Sequence, residues 1–349
     1  MNQHRIVSFG EVLLRLTPPG YLKLSQTNTF AATFGGSETN CAVSLARFGL
    51  QSDFITRLPK NDIAEACLGE LRSYGLGTGH IVFGGDRLGL YYYENPAAQR
   101  VSKVVYDRAN SSFSTLKPGM IDWEQAFEGA SWFHWSGIGP GLNQDTADVT
   151  LEALRIAKRK GLTVSCDLNY RKNLWQYGKP AQEAMAPMLA LTDVLFGTAS
   201  EYKVAYGVSS APGYKVRTAE EPIDLESYAR FFAEVEKSSG PGKKFFIALR
   251  NTLDANHHIL TGLFYAAGKL IPARTHAIDH VVDCVGVGDA FAAGMIYGLI
   301  NYPDDDASAL EFAVAAATLK NTIYGDFNLV TADEVKTLMK AEGSDGISR

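Results

Sequence analysis

Short apolar runs and segments of helical periodicity alternate along most of the chain. Residues 6–9 form a β-branched and aromatic run that ends at Gly10, which predicts a buried strand. Residues 39–48 carry apolar side chains at helical spacing and stop before Gly49, and residues 52–56 predict the next strand. A strand, a helix and a strand in this order indicate a parallel sheet with crossover helices.

The same alternation continues towards the C-terminus. We expect helices near 144–160, 289–300 and 308–323, and a loop over residues 209–222. Further strands are predicted at 163–167, 193–196 and 245–249. Because no repeat, low-complexity tract or linker divides the sequence, we expect one domain over residues 1–349.

Residues 12–33 and 86–108 do not follow this rhythm. They are rich in Thr, Tyr, Val and Leu and lack a long helical stripe, so we expect a few strands outside the main sheet that form a small flap. Tyr91, Tyr92 and Tyr93 are consecutive there. In a strand, the first and third would share one face and the second would take the other.

Composition narrows the class of protein. The 349 residues include 33 Lys and Arg against 38 Asp and Glu, and a net charge of −5 gives no support for nucleic-acid binding. The apolar run at 290–300 is too short to cross a membrane, and we find no signal-peptide pattern at the start, so we expect a cytoplasmic protein. The four cysteines stand far apart, which favours buried thiols over disulfides.

The sharpest local motif is VVDCVGVGDAFAAG, at residues 281–294. Gly286 and Gly288 flank Val287 and permit a turn whose N–H groups converge, and the dipole of a following helix adds positive potential. Such a site binds a phosphate, or a phosphoryl group in transfer, and Asp289 could accept a proton from an attacking hydroxyl. A plain helix N-cap after a glycine-rich turn explains the pattern about as well.

A second glycine pair, Gly35 and Gly36, lies in the sequence FGGSETN. The missing side chains could let a ligand approach the backbone, and Asn40 can both donate and accept hydrogen bonds. Taken alone, a glycine pair more often marks only a turn.

Taken together, GG-x-x-x-N near residue 35 and D-x-x-G-x-G-D near residue 283 resemble the two signatures of the ribokinase-like, or PfkB-type, carbohydrate kinases. The match covers most of the chain. The resemblance implies an α/β fold of three layers, with a doubly wound, mainly parallel sheet and a small β-sheet lid.

Within that family, the chain is most similar to the 2-keto-3-deoxygluconate kinases. The similarity lies in GEVLLRLTPPGYLKLSQ (10–26), VVYDRANSS (104–112), SGIGP (136–140), DLNYRKNLW (167–175) and GDFN (325–328). It implies that Asp289 is the base and that the phosphoryl group is transferred beside Gly286, Val287 and Gly288. It implies a sugar-acid site formed by Gly35, Gly36, Asn40, Tyr91, Tyr106, Arg108, Ile138, Arg171 and Asp326.

The chemistry of the residues agrees with a sugar-acid substrate. A carboxylate beside a keto group needs planar cationic partners with several donors, which Arg108 and Arg171 supply. Tyrosines cover an apolar sugar face while presenting a hydroxyl. On sequence position alone, surface salt bridges would account for the two arginines as well.

The nucleotide side departs from the family pattern. The resemblance implies ATP contacts from Thr198, Glu201, Gly286, Gly288 and Asn321, with Glu201 holding Mg²⁺ through water. Thr198 stands where the family's N-x-x-E element has Asn, Val287 replaces the usual Ala, and Cys284 replaces a common Thr. LRNTLDANHH, at residues 249–258, replaces a K-x-G-x-x-G loop, so the nucleotide preference stays open. Its adjacent histidines favour a polar hairpin over a metal site.

The leading hypothesis is ATP- and Mg²⁺-dependent phosphorylation of the C6 hydroxyl of 2-keto-3-deoxy-D-gluconate. The alternatives are a kinase of fructose, ribose or keto-deoxygalactonate, and a non-catalytic sugar-acid binding protein. A dinucleotide-dependent oxidoreductase is disfavoured because no strand–GxGxxG–helix unit stands near the start. The expected partners are a small sugar acid and ATP, with no nucleic acid and no membrane. Exposed lid strands favour a homo-oligomer.

Overall fold

A computed structural model describes residues 4–340 of the chain, and the strands are numbered in chain order. The central sheet is built from β1 (Arg5–Phe9), β4 (Gln51–Ile55), β9 (Trp132–Ser136), β10 (Thr163–Asp167), β11 (Val194–Phe196), β12 (Lys244–Thr252), β13 (His258–Ala266), β14 (Lys269–Pro272) and β15 (His276–Ile278). A second sheet contains β2 (Leu13–Thr17), β3 (Ala31–Gly35), β7 (Gly89–Glu94) and β8 (Lys103–Asp107). The short strands β5 (Arg57–Leu58) and β6 (Val82–Phe83) pair in parallel.

The helices connect these strands. They are α1 (Ser37–Arg47), α2 (Asp62–Ser73), α3 (Trp123–Ala126), α4 (Ile138–Leu142), α5 (Gln144–Arg159), α6 (Ala181–Ala190), α7 (Ala199–Tyr206), α8 (Leu225–Ser239), α9 (Val287–Asn301), α10 (Asp306–Lys320) and α11 (Ala332–Lys340). Within residues 4–340, no helix has both the length and the apolar character that a membrane crossing requires.

The central sheet is mainly parallel. In the described residues its order is β14-β13-β12-β11-β10-β9-β1-β4, with β15 also paired to β13. The strands from β4 to β12 in this order run parallel, whereas β13 to β15 add an antiparallel end. Parallel neighbours cannot be joined by a tight hairpin, which is why helices cross over between them.

The sheet is the middle of three layers, as the family resemblance implies. Ile6 and Val7 are neighbours in β1 and point to opposite faces. Ile6 packs in an apolar core with residues of α1, α9 and α10, and Val7 packs in another with residues of α3, α5 and α8. Each face of the sheet is therefore covered by helices.

The second sheet is the predicted lid, and its order is β3-β2-β7-β8 in the described chain. Its strands fall in or next to the two stretches that broke the alternation. Tyr91 and Tyr93 are buried with Leu13, whereas Tyr92 lies on the other face, where its ring contacts Phe30. The strand alternation expected for the three tyrosines is confirmed.

Helices α9 and α10 approach each other unusually closely. A Cβ atom on Gly294 would lie 2.6 Å from the Cα of Ala313, and one on Gly298 would lie 2.7 Å from the Cα of Ala309. Only glycine allows this approach, and it fixes α9 firmly against the core.

Most predicted elements are confirmed, with shifts at their ends. β10 matches residues 163–167, whereas the helix expected over 308–323 begins at Asp306 and ends at Lys320. β12 is longer than predicted because it pairs with β13 along most of its length. The hairpin between them carries His257, whose Nδ1 lies 2.9 Å from Asp254. Three of the free cysteines are buried and Cys284 is partly exposed.

Candidate active site

A cavity of about 860 Å³ lies between the lid and the carboxyl ends of the parallel strands. Asp167 ends β10, Phe196 ends β11, and both line it, as does Tyr91 of the lid. The first turn of α9 faces the same space. Ligands of open α/β sheets bind at this edge because the strand ends and helix N-termini meet there.

Asp289 lies in that first turn and contacts two side chains of α1. Ser37 donates its hydroxyl to Oδ1 at 2.8 Å, and the Nδ2 of Asn40 donates to Oδ2 at 2.7 Å. Burial raises the pKa of Asp289, and the hydrogen bonds from Asn40 and Ser37 oppose that rise. The carboxylate is therefore oriented and more basic than an ordinary aspartate, which suits a general base.

Backbone N–H groups accompany Asp289. Gly286 precedes α9 with φ of +81°, in the region that favours glycine. In residues 4–340, the N–H groups of Gly286, Val287 and Gly288 have no protein acceptor, and these residues line the cavity. The N–H of Val285 differs because it donates to Oδ1 of Asp283 at 3.0 Å. We call residues 283–288 the anion loop, since free amides at a helix N-terminus attract anions.

Next to the lid, Asp326 is held by side chains of β2 and β7. The hydroxyl oxygen of Tyr91 lies 2.7 and 2.6 Å from the two oxygens of Asp326. Arg15 of β2 donates to Asp326 at 2.9 Å and to Asp283 at 2.7 Å. Arg15 is not recognisable as a site residue from the sequence, because its partners are 268 and 311 positions away and no local pattern signals them.

Arg108 forms an ion pair inside the cavity rather than on the surface. It pairs through Nη2 with Glu11, and their side chains are 10% and 2% exposed. Arg108 Nε and Glu11 Oε1 are buried with no hydrogen-bond partner in the described chain. Unpartnered polar atoms beside a cavity indicate room for a polar ligand. Arg171 is more exposed and lies 3.6 Å from Oε1 of Glu201.

Glu38 is a buried carboxyl group that the sequence reading also missed. It lines the cavity from α1, and Ser136 donates its hydroxyl to Oε1 at 2.5 Å. Burial raises the pKa of Glu38 to about 7, although the hydrogen bond from Ser136 opposes the rise. Glu38 is therefore protonated in part at neutral pH.

A chain of hydrogen bonds extends from Asp289 to Asp167. Asn169 donates to Oγ of Ser37 at 2.9 Å and to Oδ2 of Asp167 at 3.1 Å, and Ser37 in turn donates to Asp289. Burial, together with the charges of Glu201 and Asp289, raises the pKa of Asp167. Asp167 and Asp289 are thus connected through the side chains of Asn169 and Ser37.

The start of α7, where ATP contacts are predicted, is ordered by a capping box. The N–H of Thr198 donates to Oε2 of Glu201 at 2.7 Å, and the N–H of Glu201 donates to Oγ1 of Thr198 at 3.3 Å. Threonine therefore supplies the cap where the family pattern has Asn. Arg250 of β12 and Tyr214 of the predicted loop over 209–222 line the same cavity.

The cavity brings together most of the residues predicted from the sequence. It is lined by Gly36, Asn40, Tyr91, Tyr106, Arg108, Ile138, Arg171, Thr198, Glu201, Gly286, Val287, Gly288, Asp289 and Asp326.

Two predicted residues do not line it. A Cβ atom on Gly35 would lie 2.1 Å from Oδ2 of Asp326, so this glycine packs against the protein. Asn321 is fully buried and donates to the carbonyl of Ala317 at 2.8 Å. The backbone carbonyl of Asn321 accepts the N–H groups of Val282 and Asp283. Asn321 therefore holds the start of the anion loop without lining the cavity.

The model of the pfkB family of carbohydrate kinases matches residues 3–223 and 262–329. The chain belongs to this family. It is therefore a sugar kinase, a phosphotransferase with an alcohol acceptor, and pfkB kinases use ATP as the donor. Family membership settles the choice between a kinase and an oxidoreductase in favour of the kinase.

Two relatives match this pfkB kinase over nearly its whole length. A 2-dehydro-3-deoxygalactonokinase of Haloferax volcanii is 28% identical over 349 residues, which is 99% of each chain. A 2-dehydro-3-deoxygluconokinase of Bacillus subtilis is 25% identical over 348 residues, which is 96% of this chain and 95% of the relative.

Solved structures confirm the ribokinase-like fold. A 2-dehydro-3-deoxygluconokinase of Thermotoga maritima superposes with a TM-score of 0.89 at 39% identity, over 97% of this chain and 100% of that one. A putative ribokinase II of E. coli, in complex with ATP and Mg²⁺, has a TM-score of 0.77 at 17% identity over 97% and 99% of the two chains. At that identity, the second likeness concerns the fold alone.

Proposed function

We propose that this kinase transfers a phosphoryl group from ATP to the C6 hydroxyl of 2-keto-3-deoxygluconate. The observation that carries the proposal is that Arg108, Arg171 and Asp289 line one cavity. A sugar acid has a carboxylate at one end and a primary hydroxyl at the other. A pocket with two guanidinium groups and a positioned base suits both ends.

Asp289 accepts the proton of the attacking hydroxyl. Its hydrogen bonds from Ser37 and Asn40 hold the carboxylate so that one oxygen lone pair can face the acceptor. The N–H groups of Gly286, Val287 and Gly288 stabilise the charge on the phosphoryl group during transfer. Closure of the lid excludes water, which limits transfer to water in place of the sugar.

Glu201 is the residue of this chain that fits a role beside Mg²⁺. Its Oε2 completes the cap of α7, whereas Oε1 remains on the cavity side near Arg171. Among residues 4–340, no three His, Cys, Asp or Glu side chains are grouped to hold a metal ion by themselves. Glu201 would hold Mg²⁺ through water, and the ion would supply positive charge to offset that of the nucleotide phosphates.

The galactonate epimer is a second candidate substrate. A relative that matches 99% of this chain is named a 2-dehydro-3-deoxygalactonokinase. The two epimers share the carboxylate, the keto group and the primary hydroxyl, so Arg108 and Arg171 serve both equally. Discrimination between them rests on hydroxyl contacts, such as those available from Tyr91 and Tyr106.

The test is a coupled ATP assay with both sugar acids, fructose and ribose. We expect the highest kcat/KM for 2-keto-3-deoxygluconate, and phosphorus NMR of the product should place the phosphate on C6. A higher kcat/KM for the galactonate epimer would change the substrate but keep the sugar-acid class. A preference for fructose or ribose would overturn the proposal.

Variants R108M and R171M examine carboxylate recognition directly. Each should raise KM for the sugar acids by about tenfold to a hundredfold and leave KM for a neutral sugar almost unchanged. R87M is the control, because Arg87 lies in the neighbouring lid segment, pairs with Asp107 and does not line the cavity.

We also propose that one kinase domain accounts for the whole chain and that it assembles as a homodimer through the lid. β8 is exposed along its whole length and forms one edge of the lid sheet. An exposed edge strand invites pairing with a second copy. Sedimentation or light scattering decides this, and Val105→Lys, which places a charge on the edge, should shift a dimer to monomer.

A further inference from the structure

Arg15 is a completely buried arginine in the lid strand β2. All three nitrogen atoms of its guanidinium group donate hydrogen bonds. Nε donates to Thr17 at 2.8 Å, Nη1 to Asp326 at 2.9 Å and Nη2 to Asp283 at 2.7 Å. Its guanidinium also lies 4.3 Å from the ring centroid of Tyr93. Such a planar fork fixes both carboxylates in space.

Asp283, the first partner, shapes the anion loop. Its Oδ1 accepts the N–H of Val285 at 3.0 Å, and its Oδ2 accepts the N–H of Gly325 at 3.2 Å as well as Nη2 of Arg15. The bond to Val285 closes a tight turn just before Gly286. That turn directs the next N–H groups away from the protein and towards the cavity.

Asp326, the second partner, supports the same loop from the other side. A Cβ atom on Gly286 would lie 2.1 Å from the carbonyl oxygen of Asp326, so the two backbones touch. The side chain of Asp326 is bonded to Arg15 and to Tyr91, both of which belong to the lid. The anion loop therefore depends on Asp283 and on the backbone at Asp326, and Arg15 of the lid is hydrogen-bonded to both aspartates.

We propose that Arg15 is a positioning residue that couples the position of the lid to the geometry of the anion loop. It acts through Asp283 and Asp326 and does not line the cavity itself. When β2 moves with the lid, the guanidinium carries both carboxylates and hence the turn that presents the N–H groups of residues 286–288. The position of the lid and the direction of these N–H groups therefore change together.

The charges support this role over a purely stabilising one. Burial disfavours a charged guanidinium, but Asp283 and Asp326 outweigh it and raise the pKa of Arg15, so the group stays cationic. A buried ion pair adds little stability compared with apolar side chains of equal size. Its specific contribution is a fixed geometry, which ought to appear in turnover.

The experiment compares R15K and R15M with R5M. Arg5 is the matched control because it too lies in a strand and forms a largely buried ion pair, with Asp53 at 2.8 Å, outside the cavity. The assay uses whichever sugar the panel shows to be phosphorylated best, so its result does not depend on the identity of the sugar. The readouts are kcat, both KM values, Tm, and affinity for ADP with and without aluminium fluoride in the presence of Mg²⁺ and that sugar.

We expect R15M to lose about a hundredfold in kcat and R15K about tenfold, with KM for ATP changed by less than about threefold. Both variants should lose the extra affinity that aluminium fluoride gives to ADP, because that complex mimics the phosphoryl group in transfer. R15K keeps a cation between the aspartates, so it gives the answer if R15M fails to fold.

Three results would overturn the proposal. The first is a kcat within about threefold of the wild type in R15K, with a lower Tm alone. The second is an equal loss of kcat in R5M. The third is a higher KM for the sugar at unchanged kcat, which would mean that Arg15 acts only on sugar binding, through Asp326.

Discussion

The Nδ2 of Asn40 donates to Oδ2 of Asp289 at 2.7 Å, across 249 positions of sequence. This contact joins the two glycine-rich signatures of the family in space. Asn40 belongs to α1 and Asp289 to α9, and these helices pack side by side on one face of the sheet. The two motifs therefore lie together at one site, although each is a weak signal on its own.

Replacing Asp289, the proposed base, should lower kcat strongly and spare sugar binding. We expect D289N to lower kcat by about 10³-fold, because an amide cannot accept the proton of the acceptor hydroxyl. The KM or Kd for the sugar should change little. D53N serves as the control, since Asp53 pairs with Arg5 away from the cavity and should keep wild-type kcat. Near-normal turnover of D289N would remove Asp289 from the role of base.

Removing a hydrogen bond from the base should move the pH profile. Ser37 donates to Asp289, which favours the charged form, so S37A should raise the pKa of Asp289 further. Since the base must be ionised, the acid limb of kcat/KM should shift to higher pH. In S44A, on the same helix, the lost hydroxyl contacts the carbonyl of Asn40 instead, and the limb should stay in place. Equal profiles for S37A and wild type would contradict this account.

Glu38 should make stability depend on pH. Its pKa rises from 4.5 in the unfolded chain to about 7 in the fold, so the folded state binds the proton more tightly. The stabilising contribution is complete below about pH 4.5 and is lost as pH rises to 7, by up to about 3 kcal/mol. E38Q lacks this titrating group. Its free energy of unfolding, relative to that of the wild type, should therefore be higher at pH 8 than at pH 5.

Urea unfolding of both proteins at the two pH values measures this gain. E65Q is the matched control, because Glu65 is exposed on α2 and outside the cavity. Its difference from the wild type should be the same at both pH values. An E38Q difference that does not change with pH would show that Glu38 does not titrate in this range.

Tyr91 and Tyr92 lie on opposite faces of β7, so their substitution should affect KM for the sugar differently. Y91F removes the hydroxyl that contacts Asp326, and we expect KM for the sugar to rise by about tenfold. Y92F is the control one residue away, since Tyr92 packs against Phe30 on the outer face. Steady-state kinetics of the two variants suffice, and an equal effect of both would contradict the assignment.

Local patterns in the sequence predict much of the fold and part of the site. The alternation of strands and helices depends on side chains near in sequence, so β10 could be located from it and the lid from the two stretches that break it. Asp289 could be found because its glycines are adjacent. Arg15, Glu11 and Glu38 could not, because a buried charge is recognisable only through partners that folding brings near. The roles of Asp289 and of the residues predicted to bind the sugar stay predictions.

The glycine contacts between α9 and α10 fix the position of Asp289 independently of the lid tyrosines. Asp289 is carried by a helix that cannot shift without colliding with its neighbour, whereas Tyr91 and Tyr106 are carried by the lid. Substitutions at Tyr91 and Tyr106 can therefore change the lining of the cavity without displacing Asp289, whereas substitution of Arg15 in the same lid is expected to lower kcat.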